Sequence, residues 1–217
     1  MVHLLVKMEK SGYHHGDLGA ALIAKARELV AVQGAEQVSM REVAAKVGVS
    51  PSAVYHHFPD RDSLLAEVGK VIFDEIAASQ ILAMKPILGS SVIAIRKRFR
   101  ALGLAYFEYA QSNPNLFRLC FGPLCQTDHE SGKTSNQAWQ MLVAGLDEMA
   151  SVGLIAAGIR PDIEILVWSA IHGYSMLVLD GLLPAEAIIV LLDSLEEVLL
   201  GISKDKPDKL KKGKKQL

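Results

Sequence analysis

Only two cysteines, Cys120 and Cys125, occur in 217 residues, too few for a disulfide framework, and the N-terminus shows no basic-apolar-small signal pattern. Both absences point to a reducing cytoplasm. No apolar run has the length of a membrane span: Ile165 to Leu179, the longest uncharged one, falls short of the roughly 20 residues needed and carries His172 in its middle, so it reads as a buried helix. Net charge is nearly absent as well, at −1, and basic and acidic side chains balance over residues 1–70. Bulk electrostatics therefore make no case for nucleic-acid binding; such an activity has to come from local geometry, with a shallow salt dependence. Catalytic and metal signatures are missing too. There is no G-x-S-x-G, no Gly-rich phosphate loop, no H-E-x-x-H and no cysteine-histidine zinc spacing. The pairs His14-His15 and His56-His57 diverge by about 100° if helical, which makes poor chelates. No enzyme activity, cofactor or metal is expected.

Apolar residues make up 50% of the chain, enough to bury the core of one or two domains. The most informative stretch is Ser39 to Leu65, SMREVAAKVGVSPSAVYHHFPDRDSLL. Ser39 followed by Glu42 is a capping box: the serine oxygen takes an orphan amide and the glutamate reaches back to the cap's own amide. Ala44 is small enough for a second helix to cross closely, Gly48 can take the positive φ of a tight turn, and Val49 plugs that turn from below. Ser50 is an N-cap and Pro51 stands at the first helical position, so a second helix starts at once. On it Val54 and Phe58 face inward, while Ser52, Tyr55 and His56 face out. A short helix presenting hydroxyls, a phenol and an imidazole suits phosphates and base edges in a major groove.

The pattern V-S-x-x-x-x-Y-x-H-F-P-D-R-D-x-L-L resembles the signature of the TetR family of bacterial regulators. The resemblance implies DNA contacts from Ser39, Arg41, Pro51, Ser52, Tyr55, His56, His57 and Arg61, with Arg61 standing where the family usually has lysine. Arg41 suits a guanine or a phosphate, with surface pairing to Glu42 or Asp62 as its plain reading; Tyr55 and His57 suit phosphates; His56 is the position expected to vary sequence preference. Tyr13 to Leu18 is similar to the opening of one TetR subgroup, and Trp168 with His172-Gly173 is similar to the motif of that subgroup's C-terminal WHG domain.

The remaining periodicity is helical throughout, so the expected fold class is all-α. A three-helix head is expected over 13–60, a body of about six helices over 61–203 and a disordered Lys-rich tail over 204–217. Within the head, a bracing helix runs from Asp17 to Gln33 on Leu18, Leu22, Ala26 and Leu29 and stops at Gly34. The body starts with a long helix from Arg61 to about Met84, then has helices over Ser91–Ser112 (carrying Arg96, Lys97, Arg98 and Arg100) and over a short segment capped by Asn113 and opened by Pro114 through Phe121. A polar loop over Gly122–Ser135 precedes helices over Asn136 to about Ala156, Pro161–Leu182 and Ala185–Ser203. The apolar arc on the last helix, wider than one packing face needs, together with the apolar helix before it, suggests a homodimer through these two helices. Phe99, Tyr106, Phe117, Cys120, Trp139, Met141, Trp168, His172 and Met176 are the groups expected to line an inner effector cavity, although aromatic residues at helical spacing are also ordinary packing. The partners implied are a double-stranded DNA operator, a small and mostly apolar effector, and a second copy of the chain. Repression is the leading expectation; activation, co-regulation without operator reading, and ligand binding beneath a vestigial head stay open.

Overall fold

The computed structural model describes residues 18–125, 137–155 and 160–204, and among these the regular structure is helical with no strand. The helices are α1 (Leu18–Gln33), α2 (Met40–Val47), α3 (Pro51–His57), α4 (Arg61–Met84), α5 (Val92–Ser112), α6 (Pro114–Cys120), α7 (Gln137–Ser151), α8 (Arg160–Leu179) and α9 (Ile188–Lys204). The expectations for Tyr13 to Asp17, His14-His15 among them, for most of the loop before α7 and for the tail beyond Lys204 lie outside the described residues.

Local chemistry sets the boundaries. Asp60 Oδ1 accepts from the Ser63 amide at 2.7 Å and opens α4; Ser91 Oγ accepts from the Ala94 amide at 3.2 Å and opens α5. Two C-termini come earlier than their periodicity suggests. α7 ends at Ser151, not near Ala156, because Gly153 takes φ 76° and the amides of Gly153 and Leu154 fold back on the carbonyls of Ala150 and Met149. α8 ends at Leu179, not Leu182, for the same reason at Gly181, with φ 71°. Asn113 does not cap α6 with its side chain, which donates instead to the Tyr109 carbonyl at 3.2 Å. α6 stops at Cys120, one residue before Phe121, and a single tight turn, Ala185–Ala187, precedes α9.

α4, about 36 Å long at 1.5 Å per residue, is the central element, packing against α1, α5, α6 and α7. One apolar core runs without a break from Leu22, Val30, Val43 and Val54 of the head through Leu65 and Ile72 of α4 to Tyr106, Phe117 and Ile171 of the body. A second cluster, around Ile95, Leu142, Leu146, Val167 and Leu199, fills the far end, and Trp168 packs on both. Polar ties reinforce the junction of head and body. Arg27 of α1 grips Glu75 of α4 with two nitrogens, at 2.5 and 2.7 Å, and Tyr109 of α5 donates to the same carboxylate at 2.6 Å. Asn115 of α6 donates to the Ala31 carbonyl at 3.1 Å.

Candidate nucleic-acid interface and body cavity

In the head, Ser39 Oγ accepts from the Glu42 amide at 3.2 Å, so the first half of the predicted capping box is present. The second half is not: Glu42 Oε2 receives Gln33 Nε2 at 2.9 Å, which ties α2 to the end of α1 in place of the return bond to Ser39. Gly48 takes φ 84°, in the left-handed region, and its amide and that of Val49 both reach the Ala44 carbonyl, at 2.9 and 3.0 Å. Ser50 Oγ accepts from the Ala53 amide at 3.2 Å and Pro51 opens α3. With Val54 fully buried and Phe58 nearly so, α3 is pinned by one face.

The other face is open. Pro51, Ser52, His56 and His57 are exposed, and Tyr55 exposes about half its surface, 52%. Arg41, on the preceding helix, is exposed as well, and among the described residues neither Glu42 nor Asp62 pairs with it: Glu42 takes Gln33 and Asp62 takes Arg61. His57 sits against the start of α1, where a Cβ on Gly19 would lie 3.5 Å from its Nδ1. Ser39 is exposed but committed to its cap. Arg61 occupies a different position from the rest. Its Nε donates to the Val38 carbonyl at 2.9 Å, a second nitrogen to the Ala35 carbonyl and a third to Asp62 at 3.3 Å, so the guanidinium braces the start of α4 against the turn before α2.

In the body, α4, α5, α7, α8 and α9 enclose a cavity of about 50 Å³. Four of the sequence-predicted residues line it: Phe99, Tyr106, Trp139 and Trp168, the two indoles meeting edge to face at 5.7 Å. Phe117 and Cys120 do not; they are packed away in the closed core, with Cys120 Sγ donating to the Phe117 carbonyl at 3.4 Å. Burial pushes the thiols of both Cys120 and Cys125 up, the latter to about 11, which leaves them unreactive. Met141 and Met176 are half-buried and pack on the second and first core clusters respectively, outside the cavity lining.

His172 lies one shell behind the cavity wall. Its Nδ1 is 2.9 Å from the Tyr106 hydroxyl, and the rings of Phe117, Phe121 and Trp168 stand 4.6 to 5.6 Å away. Burial lowers its pKa and keeps the imidazole neutral. Burial raises the Tyr106 phenol well above its usual value, and a hydrogen bond from Trp168 acts the other way without reversing it.

Residues that sequence reasoning did not select complete the site. Gln80 of α4 lines the cavity at 2% exposure, a polar side chain one turn beyond Ile76 on the buried stripe of its helix; that break in an apolar stripe was its signal. Arg96 and Arg100 of α5 line the cavity too, ion-paired to Glu196 and Asp193 of α9, while Arg98 is clamped to Glu148 of α7. The basic run on α5 is thus a set of ties between helices.

Among the described residues no helix is long and apolar enough to cross a membrane, and no cluster of side chains is suited to hold a metal ion. Residues 22–68 match the family described as bacterial regulatory proteins, tetR family, and residues 99–198 match the tetracyclin repressor-like C-terminal domain. Curated relatives include the nucleoid occlusion factor SlmA of Salmonella paratyphi B and of Salmonella newport, each 26% identical over 118 residues, 54% of this chain. The match spans 57% of the length of those relatives. Among solved structures, a Rhodococcus protein of unknown function is 27% identical with a TM-score of 0.71, covering 88% of this chain and all of its own. A tetR-family transcriptional regulator from Streptomyces coelicolor shares the fold at 20% identity and a TM-score of 0.63, over 88% of this chain and 83% of its own. PfmR from Thermus thermophilus, a TetR family transcriptional regulator, does so at 19% and 0.54, over 82% and 96%. The chain therefore belongs to the TetR family of DNA-binding transcription regulators, proteins that are typically dimeric.

Proposed function

We propose that this protein is a cytoplasmic, effector-responsive repressor that binds a near-palindromic operator as a homodimer. The observation that carries the reading is the open face of α3 with Arg41 beside it: Val54, with Phe58 at the C-cap, holds the helix down while Ser52, Tyr55 and His56 meet solvent. Two such heads would enter successive major grooves about 34 to 36 Å apart, or a multiple of that. Arg41 is the base-reading or phosphate-gripping cation, Tyr55 and His57 hold phosphates, and Pro51, Ser52 and His56 meet base edges. Ser39 adds a contact only beyond its capping duty. Arg61 works by bracing the head.

Dimerisation through α8 and α9 is supported by the apolar side chains these helices leave exposed, among them Ile165, Leu166, Ile189, Val190 and Val198 at 43 to 65%. The effector would enter the cavity against α4, the helix that also carries the head. Release follows only if the effector prefers the DNA-incompetent arrangement; a tenfold loss of operator affinity needs about 1.4 kcal/mol of that preference.

The test is selection of bound genomic fragments by the purified protein at fixed, near-physiological salt. An inverted repeat upstream of a few genes is the expected result, and genes whose transcription rises when the protein is removed identify repression. Recovery of no sequence above background overturns the operator reading.

A further inference from the structure

Gln80 carries a burial cost that the protein alone does not offset. Its Nε2 donates to the Leu102 carbonyl at 3.3 Å, and that acceptor fixes the orientation of the amide, since turning it round would set two carbonyl oxygens against each other. Gln80 Oε1 is then left buried with no partner among the described residues. Such an atom costs about 1 to 3 kcal/mol. The residue holding it lines the cavity, on the helix that leads to the head.

We propose that Gln80 is the polar anchor of the effector site and that it selects a neutral aromatic molecule bearing a hydroxyl group. Oε1 accepts, so the ligand's inner end donates. A carboxylate would face an acceptor there, and an ammonium would be buried without a counter-charge, because the carboxylate in the lining, Glu196, is paired with Arg96. An amide would bring a carbonyl needing a donor of its own, and the cations of the lining, Arg96 and Arg100, are already taken by Glu196 and Asp193. A hydroxyl satisfies Oε1 with one bond, and its ring stacks among Phe99, Trp139 and Trp168.

The cavity also explains why occupancy has a mechanical effect. At about 50 Å³ it is a third of the roughly 150 Å³ apolar cavity that accommodates a benzene ring, so a ring-sized ligand has to push its lining apart. Gly103 and Gly145 of the flanking helices are already in close contact: Cβ atoms there would lie 3.0 Å from Leu192 and 3.4 Å from Phe99. The displacement therefore reaches whole helices, α4 included.

The inference rests on the proposed effector response for its biological meaning, and the test separates the two. Both tryptophans of the chain, Trp139 and Trp168, line the cavity, so tryptophan fluorescence, excited at the red edge beyond the absorption of tyrosine and of the phenol, reports on this site. The full-length protein is titrated with 4-propylphenol and with its methyl ether, 4-propylanisole. The phenol is expected to bind at least about tenfold tighter, and in Gln80→Leu the two should come within about twofold of each other. Equal affinities in the unaltered protein, a preference retained in Gln80→Leu, or no spectral response to either compound overturns the proposal. Circular dichroism checks the variant's fold, with Gln80→Met as the replacement if leucine is not accommodated; the comparison in the unaltered protein stands without either. Operator affinity is then measured with saturating phenol. A phenol preference with unchanged DNA binding keeps the site and removes the effector response.

Discussion

Replacing Glu75 by glutamine removes a charge at the point where α1, α4 and α5 meet while keeping the shape of the side chain. The carboxylate accepts three charge-assisted hydrogen bonds, two from Arg27 and one from Tyr109, and the side chains of the ion pair are 29% and 30% exposed. Exposed pairs contribute about 0 to 1 kcal/mol, and removing one partner of a fully buried pair costs about 3 to 5 kcal/mol. Partial solvent screening places this junction between them, at about 2 kcal/mol. For a chain of this size that lowers Tm by about 4 to 8 °C. The loss also has a pH signature. Burial alone pushes the Glu75 carboxyl up, but the hydrogen bonds from Arg27 and Tyr109 outweigh it and the net displacement is downward. A carboxyl with a lowered folded-state pKa binds fewer protons folded than unfolded. Its contribution is therefore complete above the unfolded value of about 4.3 and is lost as pH falls through the folded value. Thermal melts of both proteins from pH 7 down to pH 3 are the assay: the deficit of Glu75→Gln should be full near neutrality and shrink below about pH 4. A deficit under about 1 °C at pH 7, or one that stays constant into acid, refutes the reasoning.

A Cβ on Gly69 would stand 2.2 Å from Cys125 Sγ, so Gly69→Ala should destabilise by about 1 to 3 kcal/mol in urea unfolding, and adding Cys125→Ala should restore most of it; equal losses with and without the second change would contradict the contact. On a selected operator, Tyr55→Phe should weaken binding a few-fold at every site, whereas Arg41→Ala should weaken it and relax one base preference, both read by fluorescence anisotropy. Unchanged affinity in both would displace the reading surface from α3.

The head was legible in the sequence because its signals are local. Ser39, Gly48, Ser50 and Pro51 each act on atoms within a few residues, and capping chemistry and a positive φ are written in residue type. Helix ends were less legible where apolar periodicity continues past a glycine. Gly153 and Gly181 stop α7 and α8 although apolar residues follow, since closing the last carbonyls wins over extending the stripe. The body was legible as helices but not as a site. Phe99 and Phe117 look alike as sequence, yet one lines the cavity and the other is sealed at 0% exposure, because the packing of other helices decides it. The fate of Arg96, Arg98 and Arg100 was hidden for the same reason: their partners lie on α7 and α9. Glu42 shows the limit even of a local motif, since Gln33 competes for the oxygen that the capping box would use.

The way α3 is held has an evolutionary consequence. Val54 and the cap at Phe58 carry its attachment to the core, and Ser50 secures its first turn, so the exposed positions Ser52 and His56 contribute little to packing. Ser52 and His56 can drift at little cost to folding, and on the proposed reading a duplicated copy of this gene can acquire a new DNA address by substitutions on this face while inheriting its scaffold intact.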